Sequence, residues 1–202
     1  MSGFTRESLI DIARHYYPAG FPIEEDDYRQ PLLAHQRTPE HERWRSSWRK
    51  ALEWESWDNL LAAGQSVFSW GDIRDATQAW HSACRRCCAC VKELLPEGVE
   101  VITRVSAAVS VLAPLYVTYT TTRTRKLGAR AGSPLLTFVP SGKELSHVRE
   151  LSSLIERELG YRPFPLEFAE VVIPGLRVGY LNRMEPPTLL EALFSDDLAN
   201  LP

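Results

Sequence analysis

The sequence predicts an α+β fold: an antiparallel β-sheet of about four to five strands with helices packed on one face. Three observations predict it. Apolar residues recur at helical spacing in segments bounded by capping signals. Between about residues 80 and 139 the spacing changes to period two, the signature of strands. The order helices, strands, helix then points to segregated elements on an antiparallel sheet.

The first helix is expected over about Thr5–Tyr17, where Leu9, Ile10, Ile12, Ala13, Tyr16 and Tyr17 form an apolar face and Pro18 ends the run. A loop of about twenty residues follows, Pro18 to Arg37, holding the run Glu24-Glu25-Asp26-Asp27; loops this long in compact domains usually serve a function or move. The second helix has the strongest start signal. Thr38 suits the cap, Pro39 the first turn, and Glu40 and Glu42 the positive end of the dipole. It is expected to reach about Ala63, before Gly64, with Trp44, Trp48, Trp54 and Trp57 on one arc as a core seam; an exposed aromatic strip is the alternative.

Phe68 to Thr77 reads as a transition. Strands are expected over roughly 80–95, 99–109, 112–123 and 134–139. Leu95-Pro96-Glu97-Gly98 is a turn. Val99, Val101, Thr103, Val105, Ala107 and Val109 share one face of the second strand, and Glu100 and Arg104 lie on the other. Ala113-Pro114 marks a bulge or strand entrance, and Lys126 to Gly132 a hairpin tip. The third helix has capping-box spacing at Ser141 and Glu144 and a stop at Gly160, with Leu145, Val148, Leu151, Ser152, Ile155 and Leu159 facing the core. Tyr161-Arg162-Pro163-Phe164-Pro165 is extended, Leu166–Val172 suits a further short strand, and Thr188 with Glu191 caps a terminal helix.

The chain of 202 residues is expected to be one globular domain, with a helical part at about 1–78 and the sheet and C-terminal helices at about 79–202. Its net charge of −3 argues against a general nucleic-acid binder. That figure conceals an uneven distribution. Residues 1–70 hold 8 Lys and Arg against 11 Asp and Glu, residues 71–132 hold 9 against 5, and residues 133–202 hold 6 against 10. A basic middle between acidic flanks can meet a partner of opposite sign. No signal peptide is visible, and the uncharged run Val105–Thr122 is too rich in hydroxyl and β-branched residues for a membrane helix. The expectation is a cytoplasmic protein away from membranes, its oligomeric state not legible.

Nucleotide-binding glycine motifs, a zinc-protease motif and a nucleophile elbow are all missing, and no cofactor is implied. Cys84, Cys87, Cys88 and Cys90 cluster within seven positions, which staples no distant loops and suits a reducing compartment. On a strand, Cys84, Cys88 and Cys90 point one way and Cys87 the other, so they are weak metal candidates and better core residues. Arg85 and Arg86 beside them keep open thiol chemistry, and with it an alternative reading: a small hydrolase or thiol-dependent enzyme with its site near Cys84–Cys90. His15, His35, His41, His81 and His147 have no neighbouring nucleophile.

Several segments carry a resemblance: Ala13-Arg14-His15-Tyr16-Tyr17-Pro18, Arg37-Thr38-Pro39-Glu40-His41, Ser110-Val111-Leu112-Ala113-Pro114-Leu115-Tyr116, Gly160-Tyr161-Arg162-Pro163-Phe164-Pro165 and the ending Leu193 to Pro202. Together they resemble a group of small myxobacterial proteins similar to the immunity proteins encoded beside polymorphic toxins delivered between neighbouring cells. The resemblance implies a non-catalytic cytoplasmic inhibitor that binds one cognate protein toxin. Charge complementarity then nominates Glu24, Glu25, Asp26, Asp27 and Tyr28 as the partner-binding residues.

Overall fold

The computed structural model describes residues 3–126 and 132–200; the expected hairpin tip falls largely outside them. Helix α1 spans Arg6–Tyr16, capped by Thr5 in a reciprocal box with Ser8. Helix α2 spans Pro39–Leu52, where Thr38 accepts from the His41 amide as expected. The single long second helix does not form. It breaks at Glu53-Trp54, and α3 runs separately over Glu55–Val67. The break places Trp44 and Trp48 in one core and Trp57 and Leu60 in another. Arg85 makes it tolerable, because its buried guanidinium donates to the Ala51 carbonyl at 3.0 Å.

The sheet contains β1 (Ile73–Asp75), β2 (Cys84–Leu95), β3 (Val99–Ser110), β4 (Leu115–Lys126), β5 (Leu135–Thr137) and β6 (Arg162–Pro163). The first five are antiparallel neighbours in sequence order; β6 adds to β4 in parallel. The transition segment thus contributes β1. Leu166–Val172 is not a strand: Leu166–Phe168 forms a tight helical turn, whose local bonds Phe168 N–H to Pro165 and Ala169 N–H to Leu166 take the place of a ladder. Helix α4 covers Gly142–Leu159 and ends at left-handed Gly160. The Ser141 hydroxyl makes no capping bond, since Gly142 at φ +57° departs from helical geometry in the first turn. Helix α5 (Leu189–Leu193) has the expected box between Thr188 and Glu191.

The antiparallel α+β architecture is as expected, and the second face of the sheet is covered too. Val105, Ala107, Val109, Cys87 and Tyr116 pack with Trp57 and Leu60 of α3 and Val148, Leu151, Leu154 and Ile155 of α4. The alternate residues Cys84, Ala108, Val117 and Tyr119 pack with Leu9, Trp48, Leu189, Leu193 and Phe194. Period two therefore feeds two cores from the same strands.

Gly64 lies inside α3 rather than at its end. A Cβ there would sit 2.8 Å from Ile73 Cγ2 and 3.1 Å from its Cδ1, so glycine is what lets β1 approach the helix. Gly64→Ala is expected to destabilise the protein by about 1–2 kcal/mol, as overpacking outweighs the better helix propensity. Urea denaturation with an unchanged slope checks this.

Candidate functional site

The long loop is pinned to the body of the protein. Ala19 bridges Leu176, the Gly20 amide donates to the Gly175 carbonyl at 3.1 Å, and the Arg177 amide donates to Pro18 at 2.8 Å. A tight helical turn at Ile23–Glu25 then presents the acidic run. Its four carboxylates have different fates. Glu24 and Glu25 are exposed and form no ion pair among the described residues. Asp26 turns inward, its side chain 4% exposed, and accepts from Arg177 Nη2 at 2.5 Å with His35 Nδ1 at 3.7 Å. Asp27 accepts from Arg29 Nε at 2.8 Å, and that pairing holds its carboxyl below the usual range. Tyr28 is 71% exposed. Of the five residues read from the sequence, Glu24, Glu25 and Tyr28 thus form the accessible part. Asp26 is a buried clasp.

Burial and the Arg177 charge push the buried His35 imidazole below its ordinary pKa. Its ring meets His41 edge to face, centroids 6.0 Å apart, and His41 stacks on Trp44. A pocket of about 370 Å³ opens at this point. Tyr17, Trp44, Trp80 and Tyr180 supply its rings, Leu32 and Gln36 come from the far end of the acidic loop, and His41, Arg45 and Gly179 complete the lining. The Tyr17 and Tyr180 hydroxyls donate to Ala192 and Glu191 carbonyls, at 2.9 and 2.6 Å, and burial raises both phenol pKa values. Trp80 stands at φ +71° with its indole edge-on to Trp44. Trp44 is buried, as the sequence predicts, at 7% exposed, and it also lines this pocket. Trp80 and Tyr180 carry no sequence signal, so the pocket itself was not legible.

The cysteines occupy the faces expected from the strand register, opposite Ser110, Ala107, Ser106 and Arg104. Cys84 and Cys87 are fully buried, and among the described residues no group of three or more His, Cys, Asp or Glu is placed to hold a metal ion. Burial pushes the Cys84 thiol up to about 11 and the Cys87 thiol higher still. Arg85 and Arg86 do not overcome it, because their guanidinium groups are engaged by Asp75 and Ala51, and by Gln78, Asp197 and Asn200. Of the other histidines, His147 stacks on Trp70 at 4.1 Å and His15 meets Tyr16 edge to face.

Fold and site define an α+β protein with a clasped acidic loop beside an aromatic surface pocket. No family model, no curated protein and no solved structure matches the chain. Among the described residues no helix is long and apolar enough to cross a membrane.

Burial, reinforced by His35 and Arg45, lowers the His41 pKa from 6.5 to about 4. The unfolded chain therefore binds a proton that the folded chain refuses within that window. Stability is complete above pH 6.5 and declines as the pH falls towards 4, by about 1–2 kcal/mol after discounting for partial exposure. His41→Phe, which keeps the stacking on Trp44, is expected to reduce the fall in melting temperature between pH 7 and pH 5, with the part due to buried His35 remaining.

Proposed function

We propose that this protein is a non-catalytic inhibitor that binds and neutralises a cognate protein toxin in the cytoplasm, in the manner of an immunity protein. The observation that carries the reading is the loop itself. It is tied down at its base and at Asp26, so Glu24, Glu25 and Tyr28 are held out to solvent without the ordering cost of a free loop. A rigid acidic edge with an exposed tyrosine suits a basic partner surface, and aromatic residues are enriched among interface hot spots.

Co-expression with the product of the neighbouring gene, followed by pull-down and a survival assay, tests this. The wild type is expected to form a complex and to protect. The double substitution Glu24→Gln, Glu25→Gln should slow association and reduce its salt dependence, weakening the complex by about tenfold at low salt, while leaving the melting temperature unchanged. No complex and no protection would defeat the reading; unchanged affinity would remove this edge from the interface.

A further inference from the structure

We propose that the aromatic pocket is a binding site for a small planar aromatic anion, its ring set against Trp44 and Trp80 and its acidic group on Arg45. The inference stands on the pocket alone and does not depend on the protein partner.

Size comes first. About 370 Å³ falls within the range of small-molecule sites and suits a one- or two-ring ligand. Shape follows from the walls. Trp44 and Trp80 present indoles with centroids 5.9 Å apart at 64°, and Tyr180 tilts at 34° to Trp44. Trp80, 39% exposed, offers most of the open ring surface, while Trp44 is 7% exposed and stacked on His41; aromatic walls of this kind favour a flat ring through offset or edge contacts.

Charge decides against a cation. Aromatic walls alone would also suit an ammonium group, but no carboxylate lines the pocket, whereas Arg45 does. Arg45 is weakly neutralised. Its nearest carboxylate, Glu42, lies 3.9 Å away and is held more closely by Arg49 at 2.9 Å. Gln36 also offers a donor, since its side-chain carbonyl already accepts from the Leu33 amide at 2.9 Å and leaves its amide NH₂. His41 is a neutral wall at physiological pH.

Trp80 supplies an independent argument. It is the one non-glycine residue with positive φ among the described residues, and it remains 39% exposed. A bulky residue in the left-handed region is strained, and such strain gathers at ligand sites. Here the indole is kept in place by Trp44 and Trp48, the latter at 5.8 Å, and forms the outer wall of the pocket.

Calorimetric titration of the full chain with indole-3-acetate, tryptamine and cyclohexylacetate tests the proposal. Indole-3-acetate is expected to bind at a single site. Tryptamine carries the wrong charge and cyclohexylacetate lacks the flat ring, so each should bind at least about tenfold more weakly. Arg45→Gln, at an exposed helix position, should weaken indole-3-acetate by about tenfold without altering the fold. Trp80→Gly, which places glycine where φ is already positive, should abolish binding. No saturable binding of indole-3-acetate by the wild type overturns the proposal, as does equal binding of tryptamine, or an Arg45→Gln protein that binds like the wild type.

Discussion

Replacing Asp26 with alanine is expected to destabilise the protein by about 3–5 kcal/mol, although Asp26 sits in a loop run of four carboxylates that the sequence nominates for partner binding. The reason is Arg177. Its side chain is 9% exposed and its Nη2 donates to the 4% exposed Asp26 carboxylate at 2.5 Å. Removing the carboxylate leaves a buried cation beside His35, whose imidazole is already disfavoured from taking a proton by burial and by that same charge. Removing both charges should cost much less, so Asp26→Ala with Arg177→Met is expected to recover most of the loss. Exposed Glu24 is the control, and Glu24→Ala should lie within about 0.5 kcal/mol of the wild type. Chemical denaturation of the wild type, Asp26→Ala, Arg177→Met and the double variant forms the cycle, with Glu24→Ala beside it. An Asp26→Ala protein as stable as the Glu24→Ala protein would show that the clasp does not hold the loop.

Trp57→Ala is expected to cost about 3–5 kcal/mol, for a different reason. Trp57 is fully buried at the base of the α3 core. Its Nε1 donates to Asp75 Oδ2 at 3.0 Å, the same oxygen accepts from Arg85 Nη2 at 2.9 Å, and the guanidinium carbon lies 4.6 Å from the indole centroid. The ring fills volume, holds a cation over its face and fixes the carboxylate that neutralises that cation. Trp57→Phe keeps an aromatic face and most of the packing and gives up the hydrogen bond, so about 1–2 kcal/mol is expected. Equal losses for Phe and Ala would assign the whole effect to the hydrogen bond and reject the packing account.

The contrast between these residues shows what was legible. Thr38-Pro39, Thr188 with Glu191, and Gly160 were readable as helix ends because capping is decided within three or four residues. The faces of β3 were readable because alternation is a property of the strand alone. The break at Glu53-Trp54 was not, because neither residue is a breaker. The Ala51 carbonyl beside it, which accepts from the Trp54 amide only at 3.4 Å, is held more closely by Arg85, 34 positions away. Gly64 was misplaced for the same reason, since its neighbour is Ile73 on a strand that local spacing does not announce.

The acidic loop divides along this line. That residues 24–27 are acidic and lie in a long loop is a property of the sequence. Which carboxylates remain available was settled by Arg177 and His35, brought in from 151 positions away and from nine positions along the same loop. The aromatic pocket has no local signature at all, because Tyr17, Gln36, Trp44, Trp80 and Tyr180 come from five separate segments. The sequence by itself determined the α+β class, the strand faces and most helix ends, which depend on short-range periodicity and capping. Tertiary structure decided the second core, the buried clasp and the pocket, because burial and charge pairing are set by neighbours in space.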